Sequence, residues 1–375
     1  MSNSIKRIAI NTGGGDAPGL NAVIHGAVYA ARGLSWDIVG IREGYDGILE
    51  PERYADGGLM ELHRSTVREI SHLGGTILGT TNRGNPFSRV VTQPDGSKKD
   101  VDFSEEVIRR LREKQIDAVI AVGGDGSLTI ANQLYEKGLR VVGVPKTIDN
   151  DLESTALTFG FNSAVSFATE CIDRLHSTAL SHRRIMVVEV MGRYAGWIAL
   201  SAGLAGRADA ILIPEIPFSI DNVAADLKRK LDDGKPYAIV VVAEGAKPIG
   251  GDVTVKSREI GRVERLGGIA ETVAAQLQEL TGRESRSLVL GHLLRGGSPT
   301  AIDRNLGVCF GAGAVFALRQ GMNGVMVALQ PPNLKYVPLG EAVAKLKLVP
   351  PDGEMVLVAR ALDVSFGDRP SPSYT

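Results

Sequence analysis

Short runs rich in Val and Ile punctuate the chain: "RIAIN" (7–11), "DAVIAVGG" (117–124), "RVVGVP" (140–145), "RIMVVEVMG" (184–192), "ADAILIPE" (208–215) and "YAIVVVAEG" (237–245). Each predicts a strand buried on both faces. Between them lie stretches with helical spacing, such as "LTIANQLYEKG" (128–138), where Leu128, Ala131 and Leu134 share one face and Gly138 stands at the C-cap. Alternating strands and helices imply an α/β fold with mostly parallel sheets covered on both sides. Nearly every run ends on Gly, Asp, Glu or a Pro-flanked polar residue, and the carboxyl edge of an open α/β sheet is where ligands bind.

One region breaks the rhythm. In "NRGNPFSRVVTQPDGSKKDVDF" (82–103) two short β-prone runs flank a polar "QPDGSKK", which predicts a hairpin excursion turning near Asp95 and Gly96. The Pro/Ser-rich "FGDRPSPSYT" (366–375) is expected to be a loose tail.

Composition narrows the function classes. With 375 residues, 43% hydrophobic and 23% charged, the chain has the balance of a soluble globular protein, long enough for two or three domains. Its 45 glycines exceed the usual share of about 7% and forecast many tight turns and close backbone approaches. A net charge of −1 without long single-sign runs gives no electrostatic grip on nucleic acid or an anionic membrane. The polar N-terminal lead runs straight into the first strand, so no secretory signal is expected, nor any membrane-spanning stretch of about 18 apolar residues. Two distant cysteines, Cys171 and Cys309, suit a reducing cytoplasm, argue against a zinc site and are expected in the core.

Two glycine turns carry the first candidate chemistry. "NTGGGDAPGLN" follows the first strand and opens a helix near Pro18 or Leu20; bare backbone N–H groups there can cradle an anion, though a plain tight turn reads equally well. Its spacing is neither GxGxxG nor GxxxxGK[ST]. The second, "AVGGDGSLTI" (121–130), again passes from strand through glycines to helix. Gly124 and Gly126 let backbone approach a phosphate, and Asp125 can hold Mg²⁺, which favours few protein carboxylates plus substrate phosphates. An N-cap role for Asp125 is the bland alternative.

These segments, with others, make the chain resemble the 6-phosphofructokinases from about residue 7 to 310. "GGDAPGLN", "GGTILGT", "GGDGS", "PKTIDND", "VVEVMGRYAGW", "AEG" and "GHLLRGGSPTAIDR" occur in the family's order. GGDG alone is shared with NAD and lipid kinases, whereas "TIDND" with "MGR" and "GHxxRGG" discriminates. The resemblance implies two Rossmann-like three-layer α/β/α domains with mostly parallel sheets and an active site in the interdomain cleft. Residues 1–160 plus about 294–344 would bind ATP and Mg²⁺, and 161–293 plus about 345–365 would bind fructose 6-phosphate. It also implies a cytoplasmic enzyme that transfers the γ-phosphoryl group of ATP to the sugar's C1 hydroxyl.

A hydroxyl is a poor nucleophile and needs a positioned base, and developing phosphoryl charge needs convergent cations. By resemblance Asp149 is that base with Asp151 beside it, Asp125 is the Mg²⁺ ligand, and Arg193, Arg83 and Lys146 supply positive charge. The loop "LGTTNRGNP" is one residue longer than the family's, so either Arg83 fills its role on a shifted loop or Arg89 shares it. Gly15, Arg83, Gly84, Gly124, Gly126 and Ser127 would line the donor, with Tyr45 flanking its base. Thr147 and Ile148 would line the sugar loop, and Met191, Gly192 and Glu244 would touch the sugar. Arg184, Arg286, His292 and Arg295, with neighbouring Leu293 and Leu294, would hold the 6-phosphate. Arg184 and Arg286 are implied to reach in from a neighbouring subunit of a homodimer or homotetramer. Read from the residues alone, Arg184 and Arg286 fit solvated strand starts, and His292 fits a core histidine. His63, His72 and His182 read as ordinary surface or packing residues.

Two departures from the family pattern follow. His25, Tyr29 and His176 replace arginines of an effector site, which implies weak or absent response to nucleotide or phosphoenolpyruvate effectors. Gly126 leaves room for the rest of ATP, whereas Lys146 is the lysine carried by pyrophosphate users. ATP is the expected donor because a missing side chain admits it and a lysine excludes nothing. Pyrophosphate remains the rival donor, and a non-catalytic sugar-phosphate sensor the rival class.

Overall fold

The computed structural model describes residues 5–257 and 265–369. They divide into two units, the first made of the described residues within 1–147, 152–162 and 295–346, the second of those within 148–151, 163–294 and 347–375.

In the first unit, with strands and helices numbered along the chain, β1 (Arg7–Thr12), β2 (Asp37–Ile41), β3 (Leu59–Glu61), β6 (Ala118–Gly123), β7 (Val141–Thr147), β8 (Phe159–Gly160), β15 (Val325–Gln330) and β16 (Asn333–Pro338) form one sheet. Its order is β16-β15-β7-β6-β1-β2-β3, with β8 beside the end of β7. The central pairs are parallel, and only the rim strands β3 and β16 run antiparallel. The expected hairpin forms apart from this sheet: β4 (Arg89–Thr92) pairs with β5 (Lys98–Val101), and Gly96 turns with φ +83°.

The unbroken apolar runs have the reason anticipated for them. Successive side chains of a strand point to opposite faces, so Ile8, Ile10, Ile120, Val122, Val142 and Val144 join one core cluster while Ala9, Val119, Ala121 and Val141 join another. Helices α1 (Leu20–Gly33) and α9 (Ala301–Arg319) cover the first face. Helices α2 (Asp46–Leu49), α3 (Ser104–Glu113), α4 (Asp125–Glu136) and α10 (Leu339–Ala342) cover the second. Leu128, Ala131 and Leu134 of α4 are all fully buried, as their spacing required.

Helix α9 corrects two expectations. By length and composition it is apolar enough to cross a membrane, contrary to the sequence reading, yet over half of that window is buried inside the protein. It lies hard against α1: a Cβ at Gly311 would sit 2.1 Å from the Val23 carbonyl oxygen, and one at Gly26 would sit 2.3 Å from that of Val308. Leu306, Phe310 and Ala314 face the core, which turns Cys309 outward with Ile302 and Phe316. Cys309 is therefore exposed, and Cys171 is half-buried, rather than both lying in the core.

The second unit has a smaller parallel sheet, β10-β11-β9-β14, built from β9 (Ile185–Val190), β10 (Ala210–Leu212), β11 (Ala238–Ala243) and β14 (Ser285–Val289). A short pair, β12 (Val255–Ser257) and β13 (Arg265–Leu266), stands apart. Helices α7 (Ile220–Asp232) and α8 (Ile269–Thr281) cover the face carrying Ile185, Val187, Val240 and Val242. The unit also holds α6 (Trp197–Ala205), α11 (Glu354–Ala361) and most of α5 (Phe161–His182). Of the stretch expected to be loose, residues 366–368 are packed instead. Phe366 is buried under the Arg360 guanidinium, and the Gly367 carbonyl accepts from the Ser219 N–H at 2.8 Å; residues 370–375 lie outside the described residues.

Candidate active site

Strand β1 pairs with β2 on one side and β6 on the other, so the connections leaving β1 and β6 diverge. A crevice opens at the carboxyl ends of strands where the order reverses in this way. Both glycine turns lie there. The Gly13 N–H donates to the Val122 carbonyl at 2.9 Å, and Ser127 settles between the turns, so that a Cβ at Gly13 would fall 2.8 Å from its Oγ. Helix α4 begins at Asp125 behind Gly124, a cap residue that has no side chain to bond the first N–H groups. A Cβ at Gly126 would meet nothing within 4 Å, so the space above this helix start is open.

Four further groups join the turns. Lys146, only 3% exposed near the end of β7, donates from its ammonium to the Gly15 carbonyl. Arg295 lies over Gly15 and donates from Nη1 to the Asp16 carbonyl at 3.1 Å. The Gly14 N–H donates to the Thr81 carbonyl at 3.1 Å, while Thr80 Oγ1 donates to the Gly14 carbonyl at 2.6 Å. Neither threonine was among the predicted site residues. Their signal was present, since both directly follow the "GGTILG" stretch whose order carried the resemblance.

The two arginines of this loop stand differently. Arg89 pairs with Asp46 at 2.7 Å and with Glu50 at 2.5 Å, whereas Arg83 is exposed and forms no ion pair among the described residues. Gly84 packs on Thr81 and lies close above Asp46. Tyr45, only 5% exposed, belongs to the core cluster of Ile41 and Ile48, with burial pushing its phenol up to about 12.

In the second unit the same edge logic recurs. Met191, Gly192 and Arg193 follow β9, Glu244 follows β11, and His292 follows β14, three neighbouring parallel strands. Arg193 holds a left-handed backbone, φ +45°, with its N–H on Glu244 Oε1 at 3.3 Å and its guanidinium over the Tyr194 ring. A left-handed non-glycine residue costs about 1–2 kcal/mol, and such residues cluster at functional sites. A Cβ at Gly245 would lie 1.7 Å from the Arg193 carbonyl oxygen, so the two turns touch. His292 and Leu293 are exposed, which removes the core-histidine reading, while Leu294 is buried.

Asp149, 5% exposed, sits in the segment following β7, beside Asn150 with φ +52°. Lys347 braces that segment, donating from Nζ to Asn150 Oδ1 at 3.0 Å and from its backbone to the Asp151 carbonyl at 2.9 Å. The Ile148 side chain is fully buried, and the Thr147 carbonyl accepts from Thr158 Oγ1 at 2.7 Å.

Residues 7–318 match the family model described as phosphofructokinase. The chain belongs to the phosphofructokinase family. It is 46% identical to an ATP-dependent 6-phosphofructokinase of Chloroflexus aurantiacus, over 98% of this chain and all of that one. It is 48% identical to a pyrophosphate–fructose 6-phosphate 1-phosphotransferase of Amycolatopsis methanolica, over 92% of this chain and 97% of that one. Among solved structures, Pichia pastoris phosphofructokinase superposes with a TM-score of 0.75 at 32% identity, over 97% of this chain and 37% of that longer one.

Two sets of predicted residues of this phosphofructokinase stand elsewhere. Arg184 immediately precedes β9 and Arg286 lies near the start of β14, both paired with Glu284. Met191 follows the far end of β9, so at about 3.3 Å per residue these arginines sit roughly 20 Å from the Arg193 turn. Within one chain they cannot join it. His25 stacks on Tyr29 and bonds the Val67 carbonyl at 2.7 Å, while His176 has one ring nitrogen on Tyr237 and the other on the Gly206 carbonyl. These rings are committed to their own surroundings.

Proposed function

We propose that the chain is an ATP-dependent 6-phosphofructokinase, which moves the γ-phosphoryl group of ATP to the C1 hydroxyl of fructose 6-phosphate. The observation that carries this is the pair of glycine turns at the reversal of strand order, with open space at Gly126. Backbone N–H groups there suit a polyphosphate, and the unfilled volume admits the nucleoside beyond it. The names of the ATP-dependent relatives support the same donor.

Donor contacts fall to Gly15, Gly84, Gly124, Gly126 and Ser127, with Arg83 and Lys146 as cations. Among the described residues no cluster of three or more metal-ligating side chains occurs, and a lone Asp125 at a helix start fits Mg²⁺ held mainly by substrate phosphates. When bound, that ion neutralises charge on the donor's β- and γ-phosphates. Asp149 accepts the C1 hydroxyl proton as the sugar oxygen bonds to phosphorus and the bond to the bridging oxygen of ADP breaks. Arg193, fixed by its strained turn, meets the charge that develops. Glu244, Met191 and Gly192 hold the sugar, with Thr147, Ile148 and Leu294 lining the segments beside it. His292, Leu293 and Arg295 form the 6-phosphate end.

Arg184 and Arg286 complete that end from a neighbouring subunit, a homo-oligomer in which two amino edges serve two partner sites. The distance that separates them from Arg193 within one chain supports this reading. Pyrophosphate is the second donor reading, favoured by Lys146 and the Amycolatopsis relative. Fructose 1,6-bisphosphate formation measured in parallel with Mg·ATP and Mg·pyrophosphate tests the choice. Faster turnover with ATP is expected; equal or greater turnover with pyrophosphate would overturn it.

A further inference from the structure

The hairpin excursion has no part in the proposed reaction, yet its base is tied into the donor end of the first unit. We infer that Arg89 is a positioning residue for the phosphoryl donor. By bridging Asp46 and Glu50 it anchors the hairpin, and so fixes the loop from Thr81 to Ser88 that carries Arg83 and Gly84. This deepens the donor reading above and rests on it.

That loop is held at both ends. At one, Thr80 and Thr81 bond the Gly14 turn. At the other, Arg89 Nη1 meets Asp46 Oδ1 at 2.7 Å and Nη2 meets Glu50 Oε1 at 2.5 Å, so one planar guanidinium spans two carboxylates of α2 and its C-cap. Ser88 Oγ donates to Asp100 at 2.6 Å and the Phe103 N–H to the Pro86 carbonyl at 2.6 Å, closing the hairpin base. Phe87 packs against the core cluster of α3 and α4. Asp46 Oδ1, the atom that takes Arg89, also lies 3.4 Å from where a Cβ at Gly84 would be, so this ion pair floors the loop. Among the described residues Arg83 itself is anchored only through its backbone N–H, on Thr81 Oγ1 at 3.1 Å.

The other groups facing Asp46 and Glu50 do not replace Arg89. Arg53 reaches Glu50 at 2.5 Å and Asp46 at 3.5 Å, but half of its side chain is in solvent and it lies on the α2 side rather than the hairpin. Glu43, also near Arg53, adds negative charge. Without Arg89 the loop keeps its Thr81 end and loses the other, so Arg83 and Gly84 sample more conformations. Ordering them then falls to the donor, which weakens donor binding and leaves sugar binding alone. Lysine, a point charge without the fork, can serve one carboxylate and restores part of the anchor.

Steady-state constants for Arg89→Ala and Arg89→Lys, beside thermal melts, test this. Arg89→Ala should raise the donor KM roughly tenfold while the fructose 6-phosphate KM stays within about twofold, with Arg89→Lys between it and the unaltered protein. An unchanged donor KM, or an equal rise in both KM values, overturns the inference. Should Arg89→Ala not fold, Arg89→Lys decides alone: a donor KM within about twofold of the unaltered protein overturns it. If the unaltered protein transfers phosphoryl from neither ATP nor pyrophosphate, the functional reading fails instead. Mg·ATP binding by equilibrium dialysis then decides the inference, and equal affinity in the unaltered and Arg89→Lys proteins sinks it.

Discussion

Replacing Gly245 by alanine tests whether the contact between the Glu244–Gly245 and Gly192–Arg193 turns is catalytic. Gly245 has an ordinary backbone conformation, so the added methyl acts by volume alone. Its Cβ would lie 1.7 Å from the Arg193 carbonyl oxygen, against an ordinary carbon–oxygen contact of about 3.3 Å, so one turn must retreat by about 1.6 Å. The Arg193 turn has little freedom to absorb this, since φ is +45° at Arg193 and +142° at Gly192, and Ala195 N–H is bonded to the Gly192 carbonyl at 2.8 Å. A reacting or charge-stabilising group displaced by 1 Å can cost about a hundredfold in rate, or about 2.7 kcal/mol of barrier. Gly245→Ala should therefore lower kcat for phosphoryl transfer by about two decades at saturating substrates, measured on protein whose thermal melt shows it folded. A folded variant with kcat within about threefold of the unaltered protein would refute the reasoning, because Arg193 would then tolerate a displacement the proposed role forbids.

Asp149→Asn should cut kcat at least about a hundredfold with fructose 6-phosphate affinity nearly unchanged, and near-normal turnover would remove Asp149 as the base. If Arg286 serves a neighbouring subunit, separately inactive Arg286→Ala and Asp149→Asn proteins should regain activity when unfolded and refolded together, approaching about a quarter of native sites by random assortment. No recovery would place both residues' roles in one chain. Because His25, Tyr29 and His176 are committed to neighbouring groups, steady-state curves should show no steep cooperative inhibition by phosphoenolpyruvate; finding it would mean another anion site exists.

What the sequence made legible follows from what is local. Strands such as 118–123 and 141–147 declare themselves because both faces are buried, which forces unbroken Val and Ile, and the residues after them inherit the carboxyl edge. The placement of Asp125, Arg193 and Glu244 just beyond β6, β9 and β11 was legible for that reason. Exposure along α9 was not: which side of an apolar helix faces its neighbour depends on Gly26 and Gly311, distant in sequence, so Cys309 looked like core. The burial of Tyr45 was illegible likewise, since its place among Ile41 and Ile48 is set by how α2 packs. The pairing of Arg89 was illegible because its acidic partners, Asp46 on α2 and Glu50 just after it, lie about forty positions upstream. Pairings across that distance leave no periodic trace.

The donor question turns on two side chains acting on different atoms. Lys146 is not a cation waiting in an empty site: its ammonium binds the Gly15 carbonyl, so one of its tasks is to hold the first glycine turn against β7. That task is the same whether a pyrophosphate or a triphosphate lies above the turn, and it takes no volume from the α4 start. Gly126 governs that volume, where an added Cβ would touch nothing. On the proposed reading Lys146 adds charge beside a polyphosphate without excluding either donor, whereas a side chain at 126 would select between them by exclusion. Overall identity is blind to this, standing at 46% to an ATP-dependent relative and 48% to a pyrophosphate-dependent one, because two positions out of 375 barely move it. On the proposed reading it is the open helix start at Gly126, rather than Lys146, that favours ATP as the donor.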